Sequence, residues 1–122
     1  MLPGKDIRSG ALAALTACVV AAGGCGGNQS ADLANGKKLF VGKATCGSCH
    51  ALARANTKGA VGPDLDEAFR ADRRAGLGQS TIEGLVLDQI AHPRRGSAMP
   101  AGLVKGADEA NVLAYLDTIL GK

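Results

Sequence analysis

The feature that most constrains this 122-residue chain is a pentapeptide with two cysteines and a histidine, Cys46-Gly47-Ser48-Cys49-His50. The cysteines stand three positions apart, so their thiols lie at neighbouring points of one turn. The small residues between them let that turn lie against a flat partner. This spacing is typical of c-type haem attachment, in which each thiol forms a thioether with a haem vinyl group and the adjacent imidazole reaches the iron. The motif therefore predicts one covalent haem c, with His50 as an iron ligand.

Three other uses of a CxxC pair were weighed: a redox disulfide, half of a zinc site and a structural disulfide. Thioredoxin-like redox chemistry belongs to a βαβ pattern, which this sequence lacks. Zinc needs two further ligands, and beyond the motif the chain offers one histidine, His92, and no cysteine outside the N-terminal region. A disulfide within the turn stays open, but it leaves His50 without a role.

A haem iron has a sixth coordination position, and the sequence offers Met99 for it. Apart from Met1 it is the sole methionine. It lies in a predicted loop beside small residues, where it adds nothing to an apolar helix face, although packing is the commoner use of a lone methionine. Pro100 restricts Met99 to extended backbone. We predict His50 and Met99 as the axial ligands, with His92 as the rival to Met99.

The N-terminal residues have the order of a secretory leader. Lys5 and Arg8 precede an apolar stretch over 11–22, and small residues follow over 23–27. The apolar stretch is shorter than the ~20 residues that span a bilayer. We predict a signal peptide over 1–24, a flexible linker over 25–31 and one folded domain over 32–122, exported to the periplasm or to the outer face of the cytoplasmic membrane.

The end of this leader also resembles a bacterial lipobox. In Ala22-Gly23-Gly24-Cys25 the cysteine stands where such proteins are lipidated, although Ala22 replaces the usual leucine. A lipidated Cys25 would tether the domain to a membrane through its acyl chains. Ordinary cleavage near Ala22 is the alternative.

Composition narrows the classes of partner. The leader's two cations and one anion account for +1 of the formal net charge of +3, which leaves +2 on the mature domain. No basic tail or stripe is present, so a nucleic acid partner is not expected. The chain has only three aromatic residues, Phe40, Phe69 and Tyr115. A core this poor in aromatics gains much from a large apolar cofactor.

The hydrophobic periodicity predicts an all-α fold of three to four helices with long loops. Ser30 is the expected cap of the first helix and Gly42 its end. Ser80 and Glu83 have capping-box spacing. No window alternates as a strand does. Long loops in a small helical domain are plausible when they wrap a cofactor. The predicted helices span 31–41, 66–74, 81–91 and 107–120.

In this order, the residues resemble the class I cytochrome c family, specifically the small bacterial proteins with one haem. The similarity runs from about residue 36 to residue 116, which is nearly the whole mature chain. Each matching segment is weak evidence for the family on its own, but the order of the segments around the CxxCH motif is specific to it. The segments are Gly36–Phe40, Gly62–Leu65, Met99-Pro100 and Asn111–Leu116.

The resemblance implies the cytochrome c fold and roles for several residues. The carbonyl of Pro63 would accept a hydrogen bond from the second ring nitrogen of His50 and so orient the imidazole. Gly36 would let the first and last helices touch, with Phe40 and Tyr115 at their crossing. The segment 66–79 departs from the family pattern, and it is either a surface helix or a docking surface.

The resemblance also implies an electron-transfer protein, not an enzyme, that carries one electron at a time in a respiratory or similar chain, between redox protein partners that the sequence does not identify. A haem subunit of a larger oxidoreductase is an alternative, and a gas-binding haem protein is another if Met99 is not a ligand. The candidate partners of the haem propionates are Arg54, Arg94 and Arg95.

Overall fold

The computed structural model describes residues 30–120, in which five α-helices are joined by loops and turns. The predicted leader and Cys25 lie outside these residues. None of the described helices is both long and apolar enough to cross a membrane. The helices are α1 (Leu33–Val41), α2 (Cys46–Cys49), α3 (Leu65–Arg74), α4 (Gln79–Ala91) and α5 (Ala107–Leu120).

A small hairpin follows the cysteine motif directly. Strand β1 (Ala51–Leu52) pairs antiparallel with β2 (Thr57–Lys58), and a 3-10 turn over Ala53–Ala55 connects them. Asn56 closes the turn with left-handed backbone, at φ 55°. The sequence did not predict this hairpin, because two-residue strands are too short to show an alternating pattern.

The predicted helix positions hold, but two predicted N-terminal caps are wrong. Helix α1 begins at Leu33, and its cap is Asp32, whose carboxylate accepts from the Asn35 amide at 3.0 Å, in place of Ser30. Helix α4 begins at Gln79, before the predicted capping box, and it has no side-chain cap. Gly42 ends α1 as predicted.

Helices α1 and α5 cross in direct backbone contact. A methyl group added at Gly36 would stand 2.0 Å from the carbonyl oxygen of Asn111 and 2.8 Å from Cβ of Tyr115, so glycine alone fits. The rings of Phe40 and Tyr115 pack at the crossing, with centroids 6.1 Å apart. The amide of Asp32 donates to Asn111 Oδ1 at 2.8 Å. This confirms the helix contact that the resemblance implied.

The core is aliphatic, apart from the three aromatic side chains, which are all buried. The hydroxyl of Tyr115 is buried without a hydrogen-bond partner among residues 30–120, and burial raises its pKa. The other buried side chains are Leu39, Ala44, Leu52, Ala55, Ile82, Ile90, Val104, Val112, Leu116 and Leu120.

Helix α3 is hydrogen-bonded to the end of α5. It falls in the segment that departs from the family pattern. Arg73 donates from Nη1 to the carbonyl of Leu120 at 2.7 Å. Arg70 and Arg74 both pair with Glu67 and hold the pKa of its carboxyl below its usual range, Arg74 mainly by its hydrogen bond and Arg70 by its charge. All three arginines are therefore engaged within the chain, which favours a structural role for this helix.

Candidate functional site

The cysteine motif forms the single turn of α2, with Cys46 at its start and Cys49 at its end. Thr45, just before the turn, has left-handed backbone, at φ 56°. His50, just after it, donates its amide to the carbonyl of Cys46 at 2.9 Å. The side chains of Cys46 and Cys49 are half-buried. The turn therefore carries both cysteines, and His50 follows it directly.

The environment of Cys46 argues against a redox-active CxxC pair. Burial raises the pKa of its thiol, although its own backbone amide lowers it in part and Cys49 raises it further. Redox-active cysteines have lowered thiol pKa values. The burial of Cys46 therefore disfavours a redox-active pair. Among residues 30–120, no three histidine, cysteine or acidic side chains gather as a metal site.

The imidazole of His50 is oriented by the loop that follows the hairpin. Its Nδ1 lies 2.8 Å from the carbonyl oxygen of Pro63, which can only accept, so Nδ1 carries the proton. The lone pair of Nε2 is then available to a metal ion, and the hydrogen bond increases its basicity. Thr57 donates from its hydroxyl to the His50 carbonyl at 2.9 Å.

Glycines let this loop lie directly on the motif. A methyl group at Gly62 would stand 2.5 Å from Cε1 of His50, and one at Gly59 would stand 2.4 Å from the carbonyl carbon of Cys49. The amide of Gly62 also donates to the Cys49 carbonyl at 2.8 Å. Sequence reasoning missed these contacts, although the place of Gly62 directly before Pro63 was an available signal.

Met99 is held from a different part of the fold, by α4 and the loop after it. Its side chain is half-buried and packs against the core. Its amide donates to the hydroxyl of Ser97 at 3.0 Å, and its sulfur accepts from Nε2 of Gln89 at 3.7 Å. Gln89 was not predicted as a site residue, because nothing in its local sequence distinguishes it.

The rival ligand and the predicted cationic residues lie at the surface. The side chain of His92 is 80% exposed and its Nδ1 lies 3.3 Å from Asp88, which disfavours it as an iron ligand. Arg94 and Arg95 are exposed just beyond α4, and Arg54 lines a shallow groove beside α5.

The residues present fit a haem. The donor atoms are two thiols on one turn, an imidazole with its second nitrogen already engaged, and a thioether. An exposed apolar side chain lies in the same segment as a contact of each proposed ligand. On the His50 side it is Val61, next to Gly62, which is 68% exposed. On the Met99 side it is Leu85, one turn before Gln89 on α4, which is 51% exposed. A porphyrin face is apolar and pairs well with such side chains.

In a comparison with protein families, the family model described as Cytochrome c matches residues 33–119, from α1 into the last turn of α5. The chain belongs to the cytochrome c family. A search of curated proteins finds no match. The all-α cytochrome c fold is thereby confirmed, and the cofactor is covalent haem c, for which Cys46 and Cys49 supply a single attachment site. The cytochrome c domain is a haem-based electron carrier.

Proposed function

We propose that this cytochrome c carries single electrons in a respiratory or similar chain, with His50 and Met99 as the axial ligands of its haem iron. The proposal rests on two hydrogen bonds, one to each of these side chains. The Pro63 carbonyl fixes the His50 ring at 2.8 Å, and Gln89 contacts the Met99 sulfur at 3.7 Å.

The haem iron supplies the redox change, alternating between the ferrous and ferric states. His50 contributes a basic nitrogen whose orientation is fixed by Pro63. Met99 contributes a soft thioether, which raises the reduction potential relative to a second imidazole. Two protein ligands also leave no position for oxygen or peroxide, and this favours an electron carrier over an oxygen-activating enzyme.

The protein is proposed to work outside the cytoplasm. The support is the charged, apolar and small-residue order of positions 1–27, with Cys25 as the candidate lipidation site. The absorption spectrum and intact mass of the exported protein test this. We expect one haem on a chain that has lost residues 1–24, and additional acyl-chain mass if Cys25 is lipidated. A product that retains the full leader contradicts the proposal.

Its partners are proposed to be redox proteins that dock briefly. Such contacts are small and often guided by charge. Exposed lysines are available for this, and one of them, Lys43, reaches Asp108 only at 3.9 Å. The exposed lysines are Lys37, Lys38, Lys43 and Lys58.

Replacing the proposed sulfur ligand tests the axial assignment. We expect Met99→Ala to retain the covalent haem but to lose the absorption band from sulfur to ferric iron. Its midpoint potential should fall by on the order of 0.1 V, within the ~0.8 V range that axial ligands span. An unchanged band would rule out Met99 as a ligand.

Carbon monoxide distinguishes the gas-binding alternative. The reduced wild-type protein should react slowly with carbon monoxide, because Met99 occupies the sixth position, whereas Met99→Ala should react at once. An immediate spectral change in the wild type would indicate an open iron site and favour a gas-binding protein.

A further inference from the structure

Among residues 30–120, the side chain of Gln89 makes the one hydrogen bond to the sulfur of Met99. Its Nε2 lies 3.7 Å from Sδ, within the range of a hydrogen bond to sulfur, and both side chains are half-buried. The sulfur of a thioether only accepts, so the amide NH₂ group is the donor. The hydrogen bond is therefore donated by Gln89 of α4 and accepted by the sulfur of Met99.

Both ends of this hydrogen bond are anchored. Gln89 precedes Ile90, which is buried in the core and whose carbonyl accepts from the Gly102 amide at 3.0 Å. On the loop side, the Met99 amide donates to Ser97. Pro100 further restricts the Met99 backbone. Because helix and loop are already tied together, the amide and the sulfur meet at little further cost in conformational entropy.

The chemistry of a thioether gives this contact a consequence. The sulfur has two lone pairs, so a donor on one of them leaves the other for a metal ion and decides which side of the sulfur faces it. A donor also withdraws electron density, which makes the sulfur a weaker ligand for ferric iron. A weaker ligand for the ferric state favours the ferrous state and raises the potential.

We propose that Gln89 is a positioning residue for Met99, selecting the lone pair that binds iron and raising the reduction potential. The inference rests on the proposed function, because it takes Met99 as the sixth ligand. Its effect would be transmitted through the sulfur of Met99.

The chain contains a matched control on the same helix. Gln79 lies at the start of α4 and also donates across to another element, from Nε2 to Asp117 Oδ1 of α5 at 2.7 Å. Gln79→Leu removes an amide and a hydrogen bond just as Gln89→Leu does, but at the other end of the helix and away from Met99. Leucine has good helix propensity, so both variants should fold.

The test uses the holoprotein with its covalent haem. In Gln89→Leu we expect the sulfur-to-iron band to shift or split, the midpoint potential to fall and the NMR shift of the Met99 methyl group to change. Gln79→Leu should match the wild type in all three measurements.

The possible outcomes distinguish the role of Gln89 from the assignment of Met99 as an iron ligand. If Gln89→Leu matches the wild type, the positioning role is wrong while the ligation of Met99 stands. If both leucine variants shift the potential equally, the effect belongs to the helix as a whole and the inference also fails. If the wild type lacks the band, or Met99→Ala keeps it, the axial assignment fails first and takes this inference with it.

Discussion

At the scale of single residues, the site depends on positions where only glycine leaves enough room for a neighbouring side chain. The ring of His50 is held between its hydrogen bond to Pro63 and the backbone of Gly62, which lies against the ring face. A histidine without these contacts would rotate about two side-chain bonds. The loop thus fixes the direction of Nε2 before any metal ion binds.

We expect Gly62→Ala to disturb this arrangement. The added methyl group would stand 2.5 Å from Cε1 of His50, so the loop or the ring must move. Overpacking of this kind costs about 1–3 kcal/mol in free energy of unfolding. Denaturant unfolding of the holoprotein, followed at the haem absorption band, measures it.

The matched control is Gly84→Ala, in the middle of α4. No heavy atom lies within 4 Å of the added methyl group there. Alanine should therefore stabilise the helix by about 0.5–1 kcal/mol. Equal effects at the two positions would show that the contact with His50 is unimportant.

The sequence predicted those site residues whose neighbours lie close along the chain. Cys46, Cys49 and His50 form one motif, and the resemblance added the contact from Pro63. The role of Gln89 was out of reach, because its contact with Met99 depends on how the loop after α4 folds back, and no spacing rule encodes that path.

At the scale of elements, α3 and α5 are joined where α5 ends. The last carbonyls of a helix lack partners within it and carry partial negative charge. Arg73 supplies a cation and donates to two of them, at 2.7 Å to Leu120 and 3.4 Å to Ile119. One helix is thereby capped by the side chain of another.

We expect Arg73→Leu to lower the free energy of unfolding by about 1–2 kcal/mol, because a charged hydrogen bond and a favourable helix-end charge are both lost. Arg70→Leu is the control, since Arg70 pairs only with the exposed Glu67, and such pairs contribute ~0–1 kcal/mol. Thermal unfolding compares them. A larger loss at Arg70 would contradict the cap.

The sequence located the helices better than their first residues. Ser30 and Asp32 both suit an N-cap, and so do Ser80 and the residues around it, so local preference alone cannot choose between neighbours. The choice falls to tertiary contacts: the Asp32 amide is fixed by Asn111 of α5. Such a partner becomes visible only when the fold is known.

At the scale of the whole molecule, the domain has a small core with few aromatic side chains. Phe40 and Tyr115 sit at the crossing of α1 and α5, and Phe69 comes from α3. Between these helices, the motif and the Met99 loop depend on short backbone contacts and half-buried side chains. Covalent haem therefore supplies much of the apolar contact that this fold needs.

We expect the double variant Cys46→Ser, Cys49→Ser to be largely unfolded, because haem is no longer attached and the core loses its largest apolar component. Far-ultraviolet circular dichroism and thermal unfolding measure this. Ser48→Ala is the control within the same turn, since Ser48 is exposed, and it should keep the wild-type fold. A cooperative, helical double variant would refute the dependence on haem.

The contact between α1 and α5 also has a consequence for timing. The hydrogen bond from Asp32 to Asn111 joins residues 79 positions apart, and closing so long a loop is entropically costly. Because synthesis proceeds from the N-terminus, Cys46 and Cys49 emerge long before α5 exists to close the domain. The two thiols are therefore synthesised well before the helix that closes the domain.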